Sequence, residues 1–132
     1  MSWIDKITNA AFNFLAPKGK AENSINEVLF PVPEIKSPDA AAELNINIEQ
    51  MTTIVNVGTM DADMTVNATI DDQVTEGALV IMKLTSDATG RAVTFGTGFN
   101  APSLSGVANK TKYATFMYDG TQLVPVGTSA SI

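Results

Sequence analysis

The chain has 132 residues, 45% of them hydrophobic, a formal net charge of −6, and neither cysteine nor histidine. Those absences exclude disulfides, thiolate metal sites and cysteine nucleophiles, and they remove the commonest general base and metal ligand. The size favours one domain plus an appendage, and the apolar content is too high for a disordered protein.

The charge is unevenly placed. In residues 1–20, Lys6, Lys18 and Lys20 oppose only Asp5, which gives +2 and leaves −8 for the remainder. Such an acidic remainder is a poor match for nucleic-acid phosphates or an anionic membrane, so neither is expected as a partner. No apolar run reaches the ~18–20 residues of a membrane span. Asp5, Lys6, Thr8, Asn9 and Asn13 interrupt the first segment, so it does not read as a secretion signal.

Residues 1–16 predict an amphipathic anchor helix. Trp3, Ile4, Ile7, Ala10, Ala11, Phe14 and Leu15 form one helical stripe, with Lys6, Asn9 and Asn13 opposite. Phe12 widens the apolar face. Ser2 can cap the start, Asp5 suits the positive end of the helix dipole, and Pro17 stops the helix. A helix this short is marginal alone in water and needs a surface. It can pack on its own β domain, dock on another chain or lie in a membrane interface. Its polar face carries few lysines for the last of these.

Residues 17–43 predict an extended arm. Pro17, Pro31, Pro33 and Pro38 punctuate it, and Val28-Leu29-Phe30-Pro31-Val32-Pro33 is apolar and stiff. That run lies extended along a surface or forms a first edge strand. Ser37-Pro38-Asp39 followed by three alanines can start a short helical turn.

Residues 44–132 predict a β module. Leu44, Ile46 and Ile48 alternate with polar neighbours, as do Met64, Val66, Ala68 and Ile70. Thr52–Val57 is apolar on both faces near its centre. Ala78–Thr85 is apolar apart from Lys83, as a more buried strand would be. Ala92–Phe95, Lys112–Tyr118 and Thr121–Val126 complete seven short strands. Asp119-Gly120 is a two-residue hairpin signal of type I′. The expected fold is mainly β, a small antiparallel sandwich or barrel preceded by the amphipathic helix and arm. Strands apolar on both faces need a second surface, so self-association is expected.

Chemistry finds little purchase. Asp61-Ala62-Asp63 and Asp71-Asp72 are tight carboxylate groups without EF-hand spacing, and they read as solvated loop charge. Gly96-Thr97-Gly98 lacks the Lys-Ser/Thr of a phosphate loop. No cofactor, metal or catalytic residue is assigned, and an enzyme is not expected. Phe95, Phe99, Phe116 and Tyr118 read as core or interface residues. Gly90, Gly96, Gly98, Asp119 and Gly120 read as turn residues.

One stretch carries a resemblance. Glu76-Gly77-Ala78-Leu79-Val80-Ile81 leads through Thr85-Ser86-Asp87-Ala88-Thr89-Gly90-Arg91 to Val93-Thr94-Phe95-Gly96-Thr97-Gly98-Phe99. Ala101-Pro102 follows, and later Thr115-Phe116-Met117-Tyr118-Asp119-Gly120-Thr121. Over roughly residues 75–126 this resembles the small β module of bacteriophage virion proteins, especially head-fibre and fibre-like proteins of tailed phages, including crAss-like phages. The resemblance implies a surface-displayed, trimeric β domain on the capsid exterior. The expected function is a head fibre or capsid decoration protein. Trp3, Ile4, Ile7, Phe14 and Leu15 would be its capsid anchor, and other virion proteins its partners. The alternative is a fibre-tip module that binds a host glycan or receptor.

Overall fold

Period-two patterning over most of the chain makes strands the only regular element of residues 32–132, which are the residues the computed structural model describes. They are β1 (Glu34–Lys36), β2 (Glu43–Ile48), β3 (Thr52–Asn56), β4 (Met64–Ile70), β5 (Leu79–Thr85), β6 (Ala92–Phe95), β7 (Leu104–Ser105), β8 (Thr111–Tyr118) and β9 (Leu123–Thr128). The expected helix and most of the expected arm lie outside the described residues. Glu34–Lys36, placed in the arm on sequence, is a strand, and no helical turn forms over Ser37–Ala42.

The strands form two sheets, in the orders β1-β3-β5-β8-β9 and β2-β4-β6-β7. Early in the chain, successive strands alternate between the sheets. A strand's neighbour is therefore two strands away in sequence and runs in the same direction. β1 pairs with β3, β3 with β5, β2 with β4, and β4 with β6, all in parallel. Only β7, β8 and β9 add antiparallel edges. The fold is thus mainly β with two mixed sheets, and the expected antiparallel arrangement is corrected. Parallel neighbours need a long crossover. Here a strand of the facing sheet provides it.

The core lies between the sheets. Leu44, Ile46, Ile48, Met64, Val66, Ala68, Val93 and Phe95 face it from one sheet. Val55, Val80, Met82, Leu84, Ala114, Phe116 and Leu123 face it from the other. These are the alternate positions that the apolar pattern marked. Their burial, at about 1.5–3 kcal/mol for each large side chain, is the main term holding the sheets together.

Two devices protect the edges. Glu34 and Lys36 share the inward register of Thr53 and Val55, and they pair with each other at 2.9 Å on edge strand β1. β9 carries Pro125 and a register shift opposite Thr115 and Phe116. Inward charge, proline and irregularity each discourage further strands from adding.

Thr53 is an exception within the core. It is fully buried, and its hydroxyl has no hydrogen-bond partner among the described residues. A buried unpaired hydroxyl costs about 1–3 kcal/mol. Thr53→Val keeps the branched shape and removes that cost. It should raise the stability of the β module by about 1 kcal/mol in urea denaturation. A lower midpoint would show that the hydroxyl has a partner.

Candidate interaction surfaces

The two outward faces of the sheets differ in chemistry. On the four-stranded sheet, Asn45 pairs with Asn67, Glu43 with Thr65, and Asn47 with Thr69. This face is a lattice of amides, hydroxyls and a carboxylate. Asn67 Nδ2 donates to Glu43 Oε1 at 3.1 Å and to Asn45 Oδ1 at 3.2 Å, while its Oδ1 accepts from the Thr97 amide at 2.8 Å. Asn67 thereby ties β2, β4 and the turn after β6. The polar face is what alternation in β2 and β4 predicts.

The outward face of the five-stranded sheet mixes apolar residues with Thr52, Asn56, Lys83, Thr85, Thr111 and Thr115. Ile35, Ile54 and Ile81 lie side by side across β1, β3 and β5. Leu79 lies beside Met117, which lies beside Val124. Ile35, Tyr113 and Met117 are 64%, 38% and 37% exposed. Sequence reading found the signal for this surface, apolar residues on both faces of β3 and β5. It singled out Phe95, Phe99, Phe116 and Tyr118 instead. The structure buries the three phenylalanines and packs Tyr118 against the core.

The five anchor residues, Trp3, Ile4, Ile7, Phe14 and Leu15, lie outside the described residues. The turn residues are placed. Gly98 has φ +85° and sits against β4. Gly90 abuts the Gly106 carbonyl, and Gly96 abuts the Asn67 side chain. The loop before β6 is braced by Asp87. It accepts two hydrogen bonds from the Arg91 guanidinium, at 2.9 and 2.7 Å, and one from the Thr89 amide. The guanidinium bonds are the larger cause of the low Asp87 carboxyl pKa. That bracing is lost if pH falls through the lowered value.

Asp119 and Gly120 do begin a hairpin turn, but not a two-residue one. Tyr118 pairs with Leu123, so the loop is Asp119-Gly120-Thr121-Gln122. Asp119 Oδ1 accepts from the amides of Thr121 and Gln122, both at 2.8 Å. Those bonds hold its carboxyl below the usual carboxylate range, with Gln122 the larger cause. They also let Asp119 serve as an Asx-type turn opener at negative φ, which a type I′ turn forbids. Gly120 alone has positive φ, +95°, with open space around it. Gly120→Val should therefore cost about 1–2 kcal/mol of pure backbone strain. An unchanged denaturation midpoint would show that the loop refolds around the new residue.

The carboxylate groups noted in the sequence serve the backbone. Asp63 accepts from the Ala92 amide at 2.9 Å and Asp71 from the Gln73 amide at 3.0 Å. Among the described residues, no three potential ligands cluster to hold a metal ion. A shallow depression of about 220 Å³ at the ends of β2 and β4 is lined by Asn47, Ile48, Glu49, Thr69 and Asp71. Among the described residues, no helix is long and apolar enough to cross a membrane. No protein-family model matches this chain, and no curated protein matches it.

Proposed function

We propose that this chain is a virion structural protein of a bacteriophage, a head fibre or capsid decoration protein. Its N-terminal helix (1–16) and the part of the arm that precedes β1 attach to the capsid and hold a homo-oligomeric β module outside. The resemblance over residues 75–126 supports that setting and implies three-fold association. The sequence pattern that carries the attachment is the stripe of Trp3, Ile4, Ile7, Phe14 and Leu15, with Ser2 suited to cap its start and Pro17 to stop it. Each of those side chains contributes on the order of 1.5–3 kcal/mol if it is fully buried against a partner. The amide- and hydroxyl-rich face around Asn45, Asn67 and Thr69 supports the second reading, a host-glycan module, and glycan-array binding by the full chain would test it.

The attachment is tested by replacing Ile7 and Phe14 with Asp in the full chain. Unpaired charge in a buried apolar stripe is costly. The β-sheet circular dichroism should be unchanged, and co-sedimentation with purified capsids should fall at least ~10-fold, the effect of about 1.4 kcal/mol. Full binding by the double variant would move the anchor to the arm or the β module. Loss of the β-sheet signal would assign the helix to the module's own core.

A further inference from the structure

We propose that Asp119-Gly120 is a self-modification site, at which the Gly120 nitrogen closes on the Asp119 side-chain carboxyl and the main chain is rerouted through it as isoaspartate. The proposal is independent of the proposed function, since it needs only this turn and water.

Sequence supplies the first condition. Asp119 is the only Asp or Asn in the chain that is followed by glycine. Ring closure brings the nitrogen of the following residue onto the side-chain carbon, and a side chain on that residue crowds the approach. Glycine has none, which suits it to close approach of backbone. The space is also open. Asp119 and Gly120 are exposed, and a Cβ on Gly120 would meet no atom within 4 Å.

The structure supplies the second condition, a free nucleophile. The Asp119 amide donates to the Gln122 carbonyl, and the Thr121 and Gln122 amides donate to Asp119 Oδ1. Gly120 is the one residue of this loop whose amide has no hydrogen-bond acceptor among the described residues. Nothing has to be broken before its nitrogen turns on the carboxyl.

The third condition is the electrophile. When nitrogen adds to Cγ, negative charge develops on one carboxyl oxygen. The amides of Thr121 and Gln122 already converge on Oδ1 at 2.8 Å each. Donors fixed in advance where charge develops stabilise a tetrahedral intermediate. Oδ2 has no described partner, so it is free to take a proton and leave. The same two bonds keep the carboxyl ionised to lower pH, with Gln122 the larger cause, and the ionised form resists attack. Mild acid restores the neutral form.

The atoms balance without any further reagent. The Gly120 nitrogen bonds to Cγ and gives its proton to solvent. The Cγ–Oδ2 bond breaks, and Oδ2 departs as water. The product is a five-membered succinimide. Water then adds at one of its two carbonyls. Opening at Cγ restores aspartate, and opening at the main-chain carbonyl gives isoaspartate. The net charge is unchanged, but the main chain gains a methylene. The bonds that Asp119 makes to Thr121 and Gln122 are lost with the rerouting. An exposed loop tip tolerates such a change, so the module should remain folded.

The test uses the full chain, held for weeks in mild acid in heavy-oxygen water, either folded or unfolded in urea, and then peptide-mapped. The peptide containing Asp119 should yield a form with altered retention and one heavy oxygen gained. A succinimide form lighter by one water should precede it. In the folded chain this should run no slower than in the unfolded chain, and faster than at any other aspartate. Asp119→Ser keeps an oxygen for the loop amides but no carboxyl, and it should abolish the product. Slower reaction folded than unfolded would show that the turn shields the carboxyl, which overturns the proposal. Earlier reaction at another aspartate overturns it as well. If Asp119→Ser misfolds, the comparison of folded and unfolded chains still decides.

Discussion

Phe116→Ala should destabilise the β module by about 3–5 kcal/mol, the range for emptying a large aromatic site in a packed core. Phe116 is 2% exposed on β8, in the five-stranded sheet. Its ring lies 4.8 Å from that of Phe95 on β6 in the facing sheet, and 5.1 Å from that of Phe99. Phe95 and Phe99 are themselves 5.1 Å apart. All three contacts are tilted or edge-on, the geometry that adds about 0.5–1.5 kcal/mol per pair beyond area burial. Removing Phe116 therefore empties a site between the sheets and breaks two of three aromatic contacts. A domain of this size has about 5–15 kcal/mol in total, so much of the folded population would be lost. At a urea m-value of about 1.5 kcal/mol/M the midpoint should fall by at least ~2 M. A loss under about 1 kcal/mol would show that the sheets close over the gap. Phe116→Leu should cost clearly less, because it retains most of the volume.

Gly98→Ala should cost about 2–4 kcal/mol, more than the same change at Gly120, because two penalties coincide. The φ of +85° imposes left-handed strain on any side chain. A Cβ there would also run into the Ala68 carbonyl oxygen and lie 3.0 Å from its carbon. That obstacle is backbone within a pinned ladder. The Ala68 amide donates to the Thr97 carbonyl at 2.8 Å, and the Leu123 amide donates to the Gly98 carbonyl at 2.8 Å. Relief would need β4 or β9 to move. Gly120→Ala meets no atom within 4 Å and carries only the dihedral cost. Measuring both variants by chemical denaturation separates strain from crowding. Equal losses would show that the turn over Ala68 is free to shift.

Period-two patterning by itself marked seven of the nine strands and the side chains that they send into the core, while β1 and β7, only three and two residues long, are too short to show a period. Leu44, Ile46 and Ile48 are buried on β2, and Met64, Val66 and Ala68 on β4, each as alternation demands. The position of the final hairpin at Asp119-Gly120 was equally legible, because few residue pairs favour a turn so strongly. Its length was not. The Asp119 carboxylate can satisfy two amides, and that local bonding, rather than residue type, set a longer loop. Strand direction was hidden for a simpler reason. A strand buried on one face shows the same alternation whether its neighbour is parallel or antiparallel. Only the chain's passage from sheet to sheet made β1, β3 and β5 parallel. The core role of Phe116 followed from its sequence, but its contact with Phe95 belongs to the packing of two sheets. Gly98 looked like a turn residue, yet its abutment on Ala68 joins residues thirty positions apart. The apolar part of the outer face was half legible. Thr52–Val57 read as apolar on both faces near its centre, and Ala78–Thr85 as a more buried strand. That Ile54 and Ile81 align with each other depends on register, which tertiary structure alone decides.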